Sequence, residues 1–93
     1  MSVRITFQVR TCPTAGSAEL LGDFTNWQER PIRMKKVMEG LFEISVKFRQ
    51  ANTHVYKFRV DGEWKEELDD GSPANGTVPN PFGTRNYSID ISL

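Results

Sequence analysis

The chain has a single cysteine, Cys12, and a single histidine, His54. One cysteine closes no disulfide within the chain. One cysteine and one histidine fall short of the donor set of a structural zinc site. Neither sign of charge is in excess: Lys plus Arg is 12 and Asp plus Glu is 12, so the net charge is zero. A neutral chain has no long-range pull toward nucleic acid or anionic lipid, so neither is an expected partner. No run approaches the roughly 18 apolar residues of a membrane span. The start, Met1-Ser2-Val3-Arg4, enters an alternating segment with no apolar signal region, so the cytoplasm is the expected location. No segment sustains a helical period. At 93 residues the chain is expected to form one domain, 1–93, with little wall to spare for a deep catalytic cleft.

Period-two alternation fills the space those absences leave. Val3, Ile5, Phe7 and Val9 point one way, and Arg4, Thr6, Gln8 and Arg10 the other. Glu19 to Gly22 reads as a short strand between two loops. Ile32, Met34, Lys36 and Met38 form one alternating set, and Glu39-Gly40 a hairpin turn. Phe42, Ile44, Val46 and Phe48 make the clearest buried stripe. His54, Tyr56, Phe58 and Val60 form the next inward set, with Val55, Lys57 and Arg59 facing outward. Asp61-Gly62 is a strong two-residue hairpin signal before a brief return at Glu63-Trp64-Lys65. Glu66 to Pro81 reads as a long polar loop, and Tyr87, Ile89 and Ile91 as the last strand. About seven short strands with turns between them predict an all-β, immunoglobulin-like antiparallel β-sandwich.

Two residues stand apart from the stripes. Trp27 lies in a loop between Asn26 and Gln28, and Trp64 just past a hairpin turn among charged residues. Such a tryptophan either caps the end of the sandwich or lays its flat face against the apolar C–H face of a sugar ring. Asn26, Lys57, Thr84 and Asn86 are candidates for the polar part of such a site, each with a plain structural alternative as a turn or strand residue. The carboxylates Asp61, Glu63, Glu66, Glu67, Asp69 and Asp70 cluster on one hairpin and loop. Glycoside hydrolysis needs two carboxylates opposed across a sugar at roughly 5–9 Å, so a solvated acidic edge is the better reading and no enzyme is expected. Arg30, Arg33, Lys35 and Lys36 read as an edge guarded against strand-to-strand pairing. His54 falls on an apolar face as a satisfied core residue, and Cys12 has no evident partner.

Three segments carry a family resemblance. Leu21-Gly22-Asp23-Phe24-Thr25-Asn26-Trp27 and Tyr56-Lys57-Phe58-Arg59-Val60-Asp61-Gly62-Glu63-Trp64 resemble motifs of carbohydrate-binding module family 48. Asn80-Pro81-Phe82-Gly83-Thr84-Arg85-Asn86 is similar to the closing Gly-Thr-x-Asn segment of that family. Their order, and their spread from about residue 18 to the last strand, cover most of the chain. The same module occurs in the beta subunit of AMP-activated protein kinase and before the catalytic barrel of branching and debranching enzymes. The tail Val78 to Gly83 looks more like stand-alone bacterial proteins with this isoamylase early-set domain.

The resemblance implies non-catalytic binding of α-glucan such as glycogen, starch or malto-oligosaccharide, with no cofactor and no metal. It implies stacking by Trp27 and Trp64, hydrogen bonds to sugar hydroxyls from Lys57 and Asn86, and a further contact at Thr84. Phe82 stands where the kinase modules carry an aliphatic residue that enters the glucan ring or helix. The acidic run after Trp64 and the longer connecting loop are departures. The alternative is a protein-interaction or spacer domain that packs on a separate glucan-metabolising enzyme without binding sugar.

Overall fold

The computed structural model describes residues 2–65 and 76–93. Among the described residues nine strands follow one another: β1 (Val3–Arg10), β2 (Ala18–Gly22), β3 (Ile32–Arg33), β4 (Lys35–Met38), β5 (Leu41–Phe48), β6 (Asn52–Val60), β7 (Glu63–Trp64), β8 (Gly76–Pro79) and β9 (Arg85–Ile91). One sheet has the order β1-β5-β4, and the other β3-β2-β6-β9-β8 with β7 also on β6. Every pairing is antiparallel. Two 3₁₀ turns, Asp23–Thr25 and Trp27–Glu29, link β2 to β3, and the described residues contain no α-helix. The expected all-β sandwich of the early-set kind is what the chain forms.

The alternation read from the sequence sets the inner faces. Phe7 and Val9 of β1 and Phe42 and Phe48 of β5 meet Leu20, Tyr56, Phe58, Tyr87, Ile89 and Ile91 of the larger sheet in one buried cluster. Each fully buried aromatic or aliphatic side chain contributes about 1.5–3 kcal/mol by leaving water. Phe7 meets Tyr56 edge-on at 4.8 Å, and Tyr56 stacks on Tyr87 at 5.1 Å. Asp61 and Gly62, at φ 51° and 83°, form the left-handed pair that a two-residue hairpin demands.

Two expectations are corrected. The single alternating set from Ile32 to Met38 is two strands on different sheets. β3 pairs with β2 and β4 with β5, and the chain crosses between the sheets at buried Met34. A register shift between Lys36 and Met38 then leaves Met38 61% exposed rather than inward. The stretch read as one long loop contains β8, which pairs with β9 from Gly76 to Pro79. The rest of that loop, with Glu66, Glu67, Asp69 and Asp70, lies outside the described residues.

Strand β6 positions the site. A strand has two edges, and β2 takes one of them along Tyr56–Val60. The other is shared: β9 pairs with Asn52–Tyr56 and β7 with Arg59–Val60. Lys57 sits where β9 ends and β7 has not begun, on the sheet face away from the core.

Candidate functional site

A depression of about 710 Å³ opens on the outer face of the larger sheet, lined by Trp27, Gln28, Lys57, Trp64, Asn80, Pro81, Phe82, Thr84 and Asn86. The six residues singled out from the sequence, Trp27, Lys57, Trp64, Phe82, Thr84 and Asn86, are all among them. Trp27 and Trp64 are 37 positions apart in the chain and share one concavity. Asn26 is not part of it. Its amide donates to the Glu29 carboxylate within the turn, which is the structural alternative weighed for it.

Trp64 comes from β7, directly across from Arg59. Trp64 is 36% exposed. Lys57 Nζ is 5.6 Å and the Arg59 guanidinium carbon 5.9 Å from the ring centroid, so two cations border the indole. Arg59 is held in turn by Glu19, its Nε 2.8 Å from Oε1. Lys57 is only 7% exposed, which sets aside the plain alternative of an ordinary solvated strand residue. Leu21, its register partner on β2, is fully buried on the same side of the sheet.

Trp27 is placed by the turns after β2. Asn26 and Trp27 both adopt left-handed backbone, at φ 54° and 53°. Asparagine accepts that conformation readily, but for tryptophan it costs of order 1–3 kcal/mol and needs enforcement from its surroundings. Thr25 supplies part of that enforcement. Its buried hydroxyl accepts the Gly22 N–H at 3.0 Å and has the carbonyls of Gly22 and Trp27 within 3.1 Å for its own proton. Phe24 anchors the same turn, packing edge-on against Phe48 at 5.2 Å and His54 at 5.5 Å. Asp23 closes it from the other side, with one oxygen 2.8 Å from His54 Nδ1 and the other accepting Val55 N–H at 3.3 Å. His54 is therefore a satisfied structural residue. Asp23→Ala is expected to destabilise the fold by about 1–2 kcal/mol through these two lost bonds. Thermal melting should show a fall of roughly 5–10 °C, and an unchanged melt would mean that Asp23 does not hold the turn.

The opposite wall is the loop between β8 and β9. Asn80 is its hub. Its Oδ1 accepts the N–H groups of Phe82 at 3.0 Å and Thr84 at 3.2 Å. Its Nδ2 donates to Thr84 Oγ1 at 2.8 Å and to Asn86 Oδ1 at 3.0 Å. The backbone closes the same loop, from Asn80 N to Thr84 O at 3.0 Å. Phe82 stands at the tip of this clamped loop, 88% exposed. An apolar ring held that far into water gains little from burial in this fold. The Thr84 hydroxyl is already used. It accepts from Asn80 and from Lys57 Nζ at 3.2 Å, with Asn80 Oδ1 at 3.1 Å for its proton.

Sequence reasoning missed Gln28, Asn80 and Pro81 as lining residues. For Asn80 a signal existed: Asn before Pro, with Gly three positions on, is the make-up of a side-chain-closed turn. Cys12 lies apart from the depression. It is exposed, and the Thr14 hydroxyl beside it holds its thiol below the ordinary pKa. Among the described residues no group of three or more His, Cys, Asp or Glu is arranged to hold a metal, and no helix is long and apolar enough to cross a membrane.

The concavity therefore offers two indoles and a phenyl ring as apolar walls, with an ammonium and a carboxamide at its polar end. Comparison with known families agrees with that chemistry: the family described as carbohydrate-binding module 48 (isoamylase N-terminal domain) matches residues 6–89.

Proposed function

Because the chain belongs to carbohydrate-binding module family 48, a binding rather than a catalytic family, we propose that its depression binds α-glucan, as glycogen or linear malto-oligosaccharide. The observation that carries the reading is the convergence of Trp27, Trp64 and Phe82 with Lys57 and Asn86 on one concavity. The indoles stack on the C–H faces of glucose rings. Phe82, projecting from its loop, fills the curve that an α-linked chain makes between them. Lys57 and Asn86 hydrogen-bond hydroxyls at the edges of the rings. Thr84, with its hydroxyl spent inside the protein, contributes its methyl group and the placement of Lys57.

Retardation in a native gel containing glycogen tests the reading, and migration identical to that in a glycogen-free gel contradicts it. The same gel separates it from the alternative, a spacer that packs on a glucan-metabolising enzyme. One observation favours that alternative: β4 is an edge strand that exposes Val37 and Met38.

Salt gives an independent check. A neutral ligand releases no counterions, so affinity for maltoheptaose should change less than about twofold between roughly 50 and 200 mM salt. A fall of tenfold or more, at the order of magnitude expected for polyanions, would redirect the reading to an anionic ligand.

A further inference from the structure

Asn80 touches both Thr84 and Asn86 at the polar end of the depression, and its orientation follows from chemistry alone. Two backbone N–H groups, of Phe82 and Thr84, point at one end of its amide. A backbone N–H can only donate, so that end is the oxygen. The nitrogen therefore faces Thr84 Oγ1 and Asn86. An N–H2 can only donate, so the Asn86 atom that it meets at 3.0 Å is the carbonyl oxygen.

The consequence falls on Asn86. Its oxygen is turned toward Asn80, from which it accepts, and this turns its Nδ2 toward the depression that it lines. Asn86 is 9% exposed, and among the described residues no fully buried side-chain nitrogen or oxygen lacks a partner. The Asn86 Nδ2 thus keeps its opening to the concavity. Beside it stands the Lys57 ammonium, also a donor only.

Resting on the glucan reading above, we infer that Asn80 is a positioning and specificity-determining residue: by holding the Asn86 oxygen it fixes that amide with its NH2 toward the ligand, beside the Lys57 ammonium. Two donors set side by side favour ligands that present adjacent acceptor oxygens, as sugar hydroxyls do. They disfavour ligands that present N–H or ammonium groups. Asn80 acts through Asn86 and the loop that carries Phe82, without touching the sugar.

Asn80→Asp tests this by reversing polarity at constant shape. A carboxylate still accepts the N–H groups of Phe82 and Thr84, but it has no proton for Asn86 Oδ1. The Asn86 amide then turns its NH2 toward the carboxylate and its oxygen toward the ligand. At about pH 7, maltoheptaose affinity is expected to fall about tenfold, the loss of one or two hydrogen bonds. The carboxylate still accepts from the Phe82 and Thr84 amides, so both should keep the parent's protection from hydrogen exchange while the Asn86 side-chain amide resonances shift. A merely structural role would lose that protection together with the affinity. Parent-like binding, or weakened binding with the Phe82 and Thr84 protection gone, overturns the inference.

If near-UV circular dichroism shows the Asn80→Asp variant unfolded, Asn86→Asp answers the same question. Its carboxylate still accepts from Asn80 but presents no N–H, so binding should fall about tenfold with the fold intact. Undiminished binding by Asn86→Asp overturns the inference. Failure of the parent to bind maltoheptaose refutes instead the glucan reading beneath it.

Discussion

Trp64→Ala should remove most glucan binding and leave the sandwich folded. The ring lies outside the buried cluster between the sheets, and β7, which carries it, is only two residues long. Its contribution to folding is therefore small: apolar cover for Lys57 and two cation–π contacts, worth about 0.5–1 kcal/mol each at a partly exposed site. Its contribution to ligand binding is large, because an aromatic anchor in a concave site typically supplies about 2–4 kcal/mol, or roughly 30-fold to 1,000-fold in affinity. Trp64→Phe should keep part of that, since a smaller flat ring still stacks. Melting and maltoheptaose titration on the same variant decide the matter. A buried cap would behave oppositely, with truncation costing about 3–5 kcal/mol of stability and changing binding only through the fold. A Trp64→Ala protein that binds as the parent does shows that Trp64 is not the stacking platform.

Gly22→Ala should have the largest effect on stability of any small substitution in the chain. The backbone of Gly22 is extended, at φ −167°, a conformation open to any residue, so the cost is one of space. A methyl group there would lie 2.6 Å from the Val55 carbonyl oxygen, 2.7 Å from Phe24 Cε1 and 3.0 Å from Tyr56 Cβ. The first is backbone of the central strand, and the second belongs to the ring that anchors the Trp27 turn. Neither yields without moving the core or the site. Overpacking of this kind costs about 1–3 kcal/mol or more, and two such contacts put the expected loss at the upper end or beyond. At about 4–8 °C per kcal/mol, the melt should fall by more than roughly 10 °C. Glucan affinity should fall with it even where the protein remains folded, because Phe24 must shift. A melt within about 2 °C of the parent would mean that β2 approaches β6 less closely than described.

What the sequence made plain follows from local rules. The stripe Phe42, Ile44, Val46, Phe48 needs only the period of a strand, and all four face the core cluster. Asp61-Gly62 needs only the turn chemistry of its two residues. The six candidate residues stood out in motifs, and the fold brings them to one depression.

What stayed hidden depends on contacts between distant segments. The run from Ile32 to Met38 has one period, and nothing in its residues says that β3 and β4 join different sheets. The outward side of Lys57 was readable from alternation, but its burial was not, because Trp64 and the Asn80 loop that flank it come from elsewhere in the chain. The left-handed backbone at Trp27 is against the preference of the residue itself. It exists because Phe24 and Asp23 are tied to β5 and β6, which the segment Leu21 to Trp27 does not contain, while Thr25 braces the turn from within that segment. Strand β8 was masked by Gly76 and Pro79, residues that signal loops, and is an edge strand, where proline is tolerated.

The central claim is that both tryptophans face one ligand. The chain has only two of them, so a ¹⁵N-labelled sample gives two indole N–H resonances that report the site directly. On titration with maltoheptaose, both indole peaks should shift, along a common saturation curve, with the Asn86 side-chain amide. The amides of Thr6 and Ser45, on the outer face of the smaller sheet, should stay in place. Saturable movement of one indole alone, or of neither, would contradict the account.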